Sequence, residues 1–355
     1  MAAIDARIRE FSLPLRSPLG TANGEISTRR VALVVLEGET PDGAPLRGVG
    51  EAAPLPPWTE DYGTCRDALF DARDALRRGE DVALDDLPAA ARHAVTLANA
   101  DAEARREEVP LSAWLAERSI GDGEPAETVP VNATVGDGSV DETVAAAESA
   151  IADGFDCLKL KIGARDLDGD LDRLRAVRAA IGDDVALRAD ANGAWDRDDA
   201  ERAVDALADL GFEYVEQPVP AGDHAGLAAL RGRGVDVALD ESVNGSGAWP
   251  EPIRDHADVV VLKPMAQGGP GAAVGLARHL RSRGVDPVVT TTIDAAVART
   301  AAVHVAATIP DVAACGLATG DLLVEDVAAD PVPVVDGYVD VPDGPGLAGA
   351  AFDEL

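Results

Sequence analysis

Lysine is almost absent from this chain of 355 residues. Only three of its 31 lysine and arginine residues are lysines, and they lie at positions 159, 161 and 263. Aromatic residues are also scarce, at 3%, so the 46% of hydrophobic residues must build a core mainly from Ala, Val and Leu. No apolar run reaches the ~18 residues of a membrane-spanning helix, and the N-terminus lacks the apolar centre of a signal peptide. We therefore expect a cytoplasmic protein without a membrane partner.

Positive charge is scarce as well, because 64 acidic residues give the chain a net charge of −33. Nucleic-acid binding needs a basic face, so this balance argues against a nucleic-acid partner. The acidic residues are spread along the chain, and strong salt would screen their mutual repulsion. Together with the loss of lysine, this haloarchaeal-type composition predicts a halophilic protein. A merely acidic cytosolic protein is the plainer alternative, but it leaves the missing lysines unexplained.

Cysteine is too rare and too scattered to form a framework. The three cysteines, Cys65, Cys157 and Cys315, are odd in number and far apart, so they fit neither a disulfide pattern nor a zinc site. We expect them to be small buried hydrophobic residues in a reducing compartment.

What the chain does contain is a series of charged residues that each end a short apolar run. Such runs are typical of buried parallel strands. The intervals between the charged residues are 29, 26, 24 and 23 residues, about the length of one strand, one helix and two loops. In a β/α barrel the carboxyl ends of the strands form the active site. The residues concerned are Lys161, Asp190, Glu216, Asp240 and Lys263.

All three lysines belong to these predicted strand ends. Arginine stays protonated, whereas burial or a nearby cation can lower the pKa of a lysine enough for it to take a proton. Ordinary surface lysines would be scattered over the chain, and none is. We therefore interpret the three lysines as functional residues.

The chain divides into three predicted parts. Residues 1–125 show three strands followed by helical patterns and form an α+β unit, and residues 126–320 alternate strands with helices. In the second part, Ser139 and Glu142 form a capping box that opens the first barrel helix. Residues 321–355 are too strand-like to be barrel, so we expect them to pack back on the first unit. Trp58 lies in an apolar, proline-rich loop that we interpret as a lid, with a rigid surface turn as the alternative.

Three of the strand-end residues are carboxylates that would repel one another unless a cation neutralised them. Oxygen-only ligands suit a hard cation, so Asp190, Glu216 and Asp240 predict an Mg²⁺ site, with Mn²⁺ as a substitute ion. Asn192 lies on the same side and is predicted to orient a ligand, and Glu241 to pair with a lysine. Any one of these acids alone would pass for a solvated loop residue, but three at matching positions would not.

The lysines then lie on opposite sides of the metal site. We predict that Mg²⁺ holds a substrate carboxylate and stabilises an enolate-type intermediate, while a lysine with a depressed pKa, Lys161 or Lys263, removes the α-proton. Lys159 shares a face with Lys161, so repulsion between the two would lower the pKa of the second lysine. The expected partner is a small-molecule carboxylate; the sequence leaves open whether the protein is a homo-oligomer.

The combination of Lys-x-Lys, Asp-x-Asn, Glu-Gln-Pro, Asp-Glu and Lys-Pro behind an α+β unit resembles the enolase superfamily, muconate-lactonizing subgroup. The resemblance covers nearly the whole chain. It implies a modified TIM barrel, (β/α)₇β, with an N-terminal α+β capping domain that the C-terminal segment completes. It also implies Mg²⁺ on the three carboxylates, acid/base roles for the lysines, and loops near 19–24 and 51–60 that close the pocket. The residues then predicted to contact substrate are Leu19, Gly20, Thr21, Trp58, Thr291, Thr292 and Asp294.

Within the subgroup, the segments 50–56, 290–294 and 316–322 look most like o-succinylbenzoate synthases of menaquinone biosynthesis. That resemblance implies a dehydration in which Lys161 is the base and Lys263 places its charge on the substrate ring. Threonines stand where serines are usual, and Asp294 stands where Glu is common. The alternatives are a racemase or epimerase of N-acylamino acids or dipeptides, a muconate-type cycloisomerase, and a barrel that has lost catalysis. Dipeptide epimerases usually carry Asp-x-Asp on the eighth strand, where this chain offers only Asp321.

Overall fold

The computed structural model of the protein describes residues 5–21, 24–39, 43–119, 123–244, 249 and 251–355. Its N-terminal part is an antiparallel sheet of β1 (Asp5–Thr21), β2 (Gly24–Glu39) and β3 (Pro45–Ala52) in that order. The middle strand β2 contains the buried run 31–36, because it is covered on both faces. The side chains of Leu19, Gly20 and Thr21, predicted to contact substrate, lie outside the described part of the structure.

Two helices cover this sheet, α1 (Tyr62–Arg77) and α2 (Ala89–Arg106), and α3 (Leu111–Arg118) packs beside α2. Helix α2 packs directly on the backbone of β3. A Cβ atom at Gly48 would lie 2.0 Å from the Ala98 carbonyl oxygen, and one at Gly50 would lie 1.9 Å from that of Ala94. Alanines on the helix and glycines on the strand therefore allow an approach that larger side chains would prevent.

A second sheet is parallel throughout and has seven strands in chain order. They are β5 (Ala133–Val135), β6 (Cys157–Lys161), β7 (Ala186–Asp190), β8 (Tyr214–Glu216), β9 (Asp236–Leu239), β10 (Val259–Leu262) and β11 (Asp286–Val289). Two bridges, from Cys315 to Val131 and from Gly316 to Thr290, link the two edges of this sheet. The sheet thus curls into a barrel whose eighth strand is reduced to two bridging residues. The chain between residues 128 and 135 does not form one continuous barrel strand, because β4 (Thr128–Pro130) pairs outside the barrel.

Helices alternate with the barrel strands. They are α4 (Val140–Ala152), α5 (Leu167–Ile181), α6 (Arg197–Asp209), α7 (His224–Leu230), α8 (Pro264–Gln267), α9 (Pro270–Ser282) and α10 (Ala296–Ala307). The predicted capping box at the start of α4 is confirmed, with Ser139 and Glu142 bonded to each other's backbone N–H. Within the described ranges, no helix is long and apolar enough to cross a membrane. All three cysteines are buried with free thiols.

The C-terminal segment contacts both parts of the molecule. Strands β12 (Val334–Val335) and β13 (Tyr338–Asp340) form a small antiparallel sheet with β4 at the barrel. Further along, Arg47 of β3 donates hydrogen bonds to the carbonyl oxygens of Phe352 and Asp353. These contacts agree with the predicted fold, a modified α/β barrel with a capping domain. The domain boundaries at residues 125 and 320 stay a prediction.

Candidate active site at the carboxyl ends of the barrel strands

The five charged residues singled out in the sequence lie together at one end of the barrel. Lys161, Asp190 and Glu216 are the last residues of β6, β7 and β8, and they are aligned in register across the three strands. Asp240 and Lys263 directly follow β9 and β10. A parallel sheet brings the ends of neighbouring strands to the same edge, so the spacing in the sequence becomes proximity in space.

Two lysines share the carboxylates of β7 and β8. The Lys159 Nζ atom lies 3.1 Å from Asp190 Oδ2 and 3.0 Å from Glu216 Oε2. The Lys161 Nζ atom donates to the same Asp190 oxygen at 2.6 Å and to Asn192 Oδ1 at 3.1 Å. The side chain of Lys161 is 36% exposed, compared with 13% for Lys159. Lys161 is therefore the more accessible of the two lysines.

The third lysine lies on the other side of the carboxylates. Lys263 forms an ion pair with Asp240, and both side chains are buried. Its Nζ atom also lies 4.8 Å from the centre of the Trp58 ring, which comes from the loop after β3. Lys161 and Lys263 are thus separated by the row of three acids, as the sequence predicts.

Two amide side chains that sequence analysis left without a role support this arrangement. Asn244 donates to Asp240 Oδ1 at 2.8 Å and to the Val261 carbonyl oxygen at 2.6 Å. Gln217 Oε1 accepts from the backbone N–H groups of Asp240 and Ser242. Gln217 is recognisable from its place in Glu-Gln-Pro, whereas no sequence signal marks Asn244.

Burial and charge determine the protonation of the acids. Burial alone would raise the pKa of Asp190, but Lys159 and Lys161 outweigh it and hold this pKa below its ordinary value. Burial and then repulsion by Asp190 raise the pKa of Glu216 to about 7. For Lys159, burial lowers the pKa, but the two neighbouring carboxylates raise it well above its usual range. The lysine ammonium groups thus supply the positive charge that the acids require.

The acids engage lysines rather than one another. Among the side chains that the structure describes, no three of the His, Cys, Asp and Glu type converge as a ready metal cluster. The donor set nevertheless fits Mg²⁺, because three buried carboxylates on adjacent strands offer only hard oxygen ligands. The ammonium groups of Lys159, Lys161 and Lys263 contact these carboxylates and balance their charge, as a bound cation would.

The remaining predicted site residues separate into two groups. Asn192 joins the site, since it bonds both Lys161 and Glu241 Oε1, the latter at 3.0 Å. Glu241 is therefore bonded to an amide, whereas the sequence predicts a lysine partner. Thr291 faces the eighth-strand loop and bonds the Thr319 hydroxyl at 3.0 Å.

Thr292 and Asp294 lie deeper than the other predicted substrate contacts. They are 2% and 1% exposed and bond each other, and the Thr292 hydroxyl also reaches the Ala53 carbonyl oxygen at 3.3 Å. Their bonding partners therefore belong to the contact between the barrel and the N-terminal sheet. Their predicted role in binding substrate stays a prediction.

Comparison with known proteins identifies the family of this chain. Residues 142–354 match the family model described as enolase C-terminal domain-like. The chain is 40% identical to an o-succinylbenzoate synthase of Thermobifida fusca over 61% of this chain and 67% of the relative. It is 33% identical to muconate cycloisomerase 1-1 of Acinetobacter lwoffii, over 74% and 68% of the two chains. A dipeptide epimerase from Methylococcus capsulatus, solved with Mg and the dipeptide L-Arg-D-Lys, superposes with a TM-score of 0.82 at 27% identity, covering 98% of this chain and 99% of the other.

The barrel, its capping sheet and the strand-end acids define a protein of the enolase superfamily type. The chain belongs to that superfamily, in its muconate-lactonizing subgroup, and the resemblance to o-succinylbenzoate synthases is confirmed. It is accordingly an Mg²⁺-dependent lyase or isomerase.

Proposed function

We propose that this protein is an o-succinylbenzoate synthase, a dehydratase that converts a cyclohexadiene carboxylate into 2-succinylbenzoate for menaquinone biosynthesis. The main support is the placement of Lys161 and Lys263 on either side of three buried carboxylates. The named synthases among the relatives, 36–40% identical to this chain, provide the second support.

Asp190, Glu216 and Asp240 would hold Mg²⁺, which supplies the positive charge that binds the substrate carboxylate and stabilises the enolate-type anion formed from it. Mn²⁺ prefers the same oxygen ligands, and we expect it to support turnover too. Gln217 and Asn244 keep the Asp240 loop in place through the hydrogen bonds described above.

Lys161 acts as the base, because its side chain is the exposed one of the pair. The amine takes the α-proton, and the electron pair of the broken C–H bond passes into the substrate carboxylate. The electron pair then returns to form a carbon–carbon double bond in the ring as the carbon–oxygen bond to the hydroxyl breaks, and hydroxide leaves as water with the proton that Lys161 has taken up.

Lys263 acts as a fixed charge. It is buried, it is paired with Asp240, and its ammonium faces an aromatic ring at 4.8 Å. A cation in this position stabilises negative charge that spreads over the substrate ring.

A racemase or epimerase of N-acylamino acids or dipeptides, or a muconate-type cycloisomerase, is the second candidate. The observation that favours a racemase is the same pair of lysines, since two groups on opposite sides of an α-carbon can exchange its proton on both faces. Structural similarity to a dipeptide epimerase adds to it.

The two candidates are separated by an absorbance assay with the cyclohexadiene substrate, Mg²⁺ and molar KCl, beside an N-succinylamino acid in D₂O. Dehydration without α-proton exchange is the expected result. Exchange or racemisation without dehydration would move the assignment to the second candidate.

The role of Lys161 is tested with the Lys161→Arg variant, in which the charge remains but the base is lost. We expect no turnover, an unchanged circular dichroism spectrum and unchanged Mg²⁺ binding by calorimetry. Retained turnover would remove Lys161 as the base.

A further inference from the structure

The helix that follows the seventh barrel strand is capped by a residue from the other domain. Helix α10 starts after Ala295, which provides no side-chain cap of its own. Instead, Glu51 of β3 accepts the backbone N–H of Ala295 at 2.7 Å and that of Ala298 at 2.8 Å, one with each carboxylate oxygen. Glu51 is completely buried. It thus satisfies two N–H groups that the first turn of a helix leaves unpaired.

A buried arginine strengthens the same contact from the opposite direction. Arg29 of β2 donates to the carbonyl oxygens of Ala53 at 2.6 Å and Pro54 at 3.1 Å, and also to that of Ile293 at 3.2 Å. Ala53 and Pro54 follow β3, whereas Ile293 belongs to the barrel. The planar guanidinium therefore connects the loop of one domain to the loop of the other.

We name the residues of this contact the junction: Arg29, Glu51, Thr292 and Asp294. All four are at most 3% exposed. The two hydrogen bonds that Glu51 accepts join buried groups, so losing one of them leaves a buried N–H unpaired.

The junction leads directly to the aromatic ring over Lys263. The segment 53–60 begins at Ala53, whose N–H points to the sulfur of Met265 at 3.5 Å. The turn in this segment is closed by the backbone N–H of Trp58, which donates to the Leu55 carbonyl oxygen at 3.0 Å. At its far end, Glu60 accepts the N–H groups of Ala90 and Ala91 in the first turn of α2, at 3.1 and 3.0 Å. The segment is therefore held at both ends, and the Trp58 ring is placed by those anchors.

We propose that Glu51 is a positioning residue: by capping α10 from the capping domain, it fixes the segment 53–60 and holds the Trp58 ring over Lys263, where the ring forms one wall of the substrate site. The proposal rests on the proposed function, in which the substrate ring lies beside Lys263. It assigns specificity for ring-bearing substrates to a contact between the domains.

The Glu51→Gln variant tests the proposal. Burial and the nearby Asp294 raise the pKa of Glu51 to about 8, so a neutral amide of the same shape is a mild replacement. One of the two helix N–H groups would then face the NH₂ group of glutamine, donor against donor. Displacement of the Trp58 ring should weaken substrate binding but leave the chemical step unchanged, because the ring takes no part in proton transfer. We expect KM for the cyclohexadiene substrate to rise about tenfold, with kcat changed by less than about threefold.

A double-mutant cycle with Trp58→Leu shows whether Glu51 acts through the ring. If it does, Glu51→Gln raises KM in the native background but changes it less than about twofold in the W58L background. An equal rise in both backgrounds would overturn the proposal. Arg29→Lys, which keeps the charge but loses the planar fork, is the second variant and should reproduce the pattern.

A second readout needs no substrate. Acrylamide quenching of Trp58, taken as the difference between each protein and its W58L version, should increase in Glu51→Gln. Unchanged quenching would contradict the proposal whatever the enzyme turns over, so it separates this failure from a failure of the proposed function.

The matched control is Asp101→Asn. Asp101 is also fully buried and also accepts two backbone N–H groups from distant segments, Val49 at 2.9 Å and Leu347 at 2.8 Å. It has no contact with the segment 53–60 among the described hydrogen bonds. We expect a lower melting temperature with unchanged KM and unchanged Trp58 quenching, which separates positioning from general stability.

Discussion

A buried histidine should make the stability of this protein depend on pH. His304 of α10 is completely buried where three segments meet. Its Nδ1 atom accepts the Ser112 N–H of α3 at 3.1 Å, and its Nε2–H group donates to the Leu347 carbonyl oxygen at 2.6 Å. Because one nitrogen accepts and the other donates, only the neutral ring fits this place.

Burial lowers the pKa of His304 to about 4, from 6.5 in an exposed chain. Between these values the unfolded chain binds a proton that the folded chain does not bind. The contribution of His304 to stability is therefore complete above pH 6.5 and is lost as the pH falls toward 4. With these two pKa values, about 2 kcal/mol is lost between pH 8 and pH 5.

The perturbation is His304→Gln, which removes the titration. The glutamine amide can still donate to Leu347, but the Ser112 N–H loses its acceptor, at a cost of about 1 kcal/mol at pH 8. At pH 5 the native protein has lost its extra 2 kcal/mol or so, and the variant should be as stable or more stable. Urea unfolding at both pH values, in the same molar KCl, measures the difference in unfolding free energy between the native protein and the variant.

An equal difference in unfolding free energy between native protein and variant at pH 8 and pH 5 would refute this role of His304. His93, whose pKa burial also lowers to about 4, is present in both proteins and cancels in the difference. His279→Gln, at an exposed position, is the control. Its difference in unfolding free energy from the native protein should be the same at pH 8 and pH 5.

Three further outcomes are expected. Gly50→Ala should destabilise the fold by more than about 3 kcal/mol, because its Cβ would lie 1.9 Å from the Ala94 carbonyl oxygen. Gly275→Ala in α9 has open space around the new Cβ and should stabilise the fold by about 0.5–1 kcal/mol. Thermal unfolding of the two variants beside the native protein measures both changes. Asp240→Asn should weaken Mg²⁺ binding at least about tenfold by calorimetry, and equal affinity would remove it as a ligand. The melting temperature should rise with KCl between about 0.1 and 3 M, and a flat curve would contradict the halophilic interpretation.

The sequence alone predicted the position of the site. A strand, a helix and two loops need a nearly constant length of chain, so residues at that interval, from Lys161 to Lys263, must recur at the same end of the barrel. The capping box at Ser139 and Glu142 was also predictable, because it depends only on residues that are neighbours along the helix.

The partners of these side chains were decided only by tertiary structure. Glu241 bonds Asn192 instead of a lysine, and Asn244 reaches Asp240 through the turn after β9. Periodicity determines the end of the barrel at which a residue lies, but the rotamer it adopts depends on which neighbours fill the remaining space.

The junction shows the same limit over a longer range. Glu51 and the start of α10 are far apart in the chain, and no pattern in either segment refers to the other. Their contact exists because the capping sheet packs on the barrel in one orientation, which brings an unpaired carboxylate to unpaired helix N–H groups in a place without water. The sequence determined which groups need partners, and the packing of the two domains determined which partners they have.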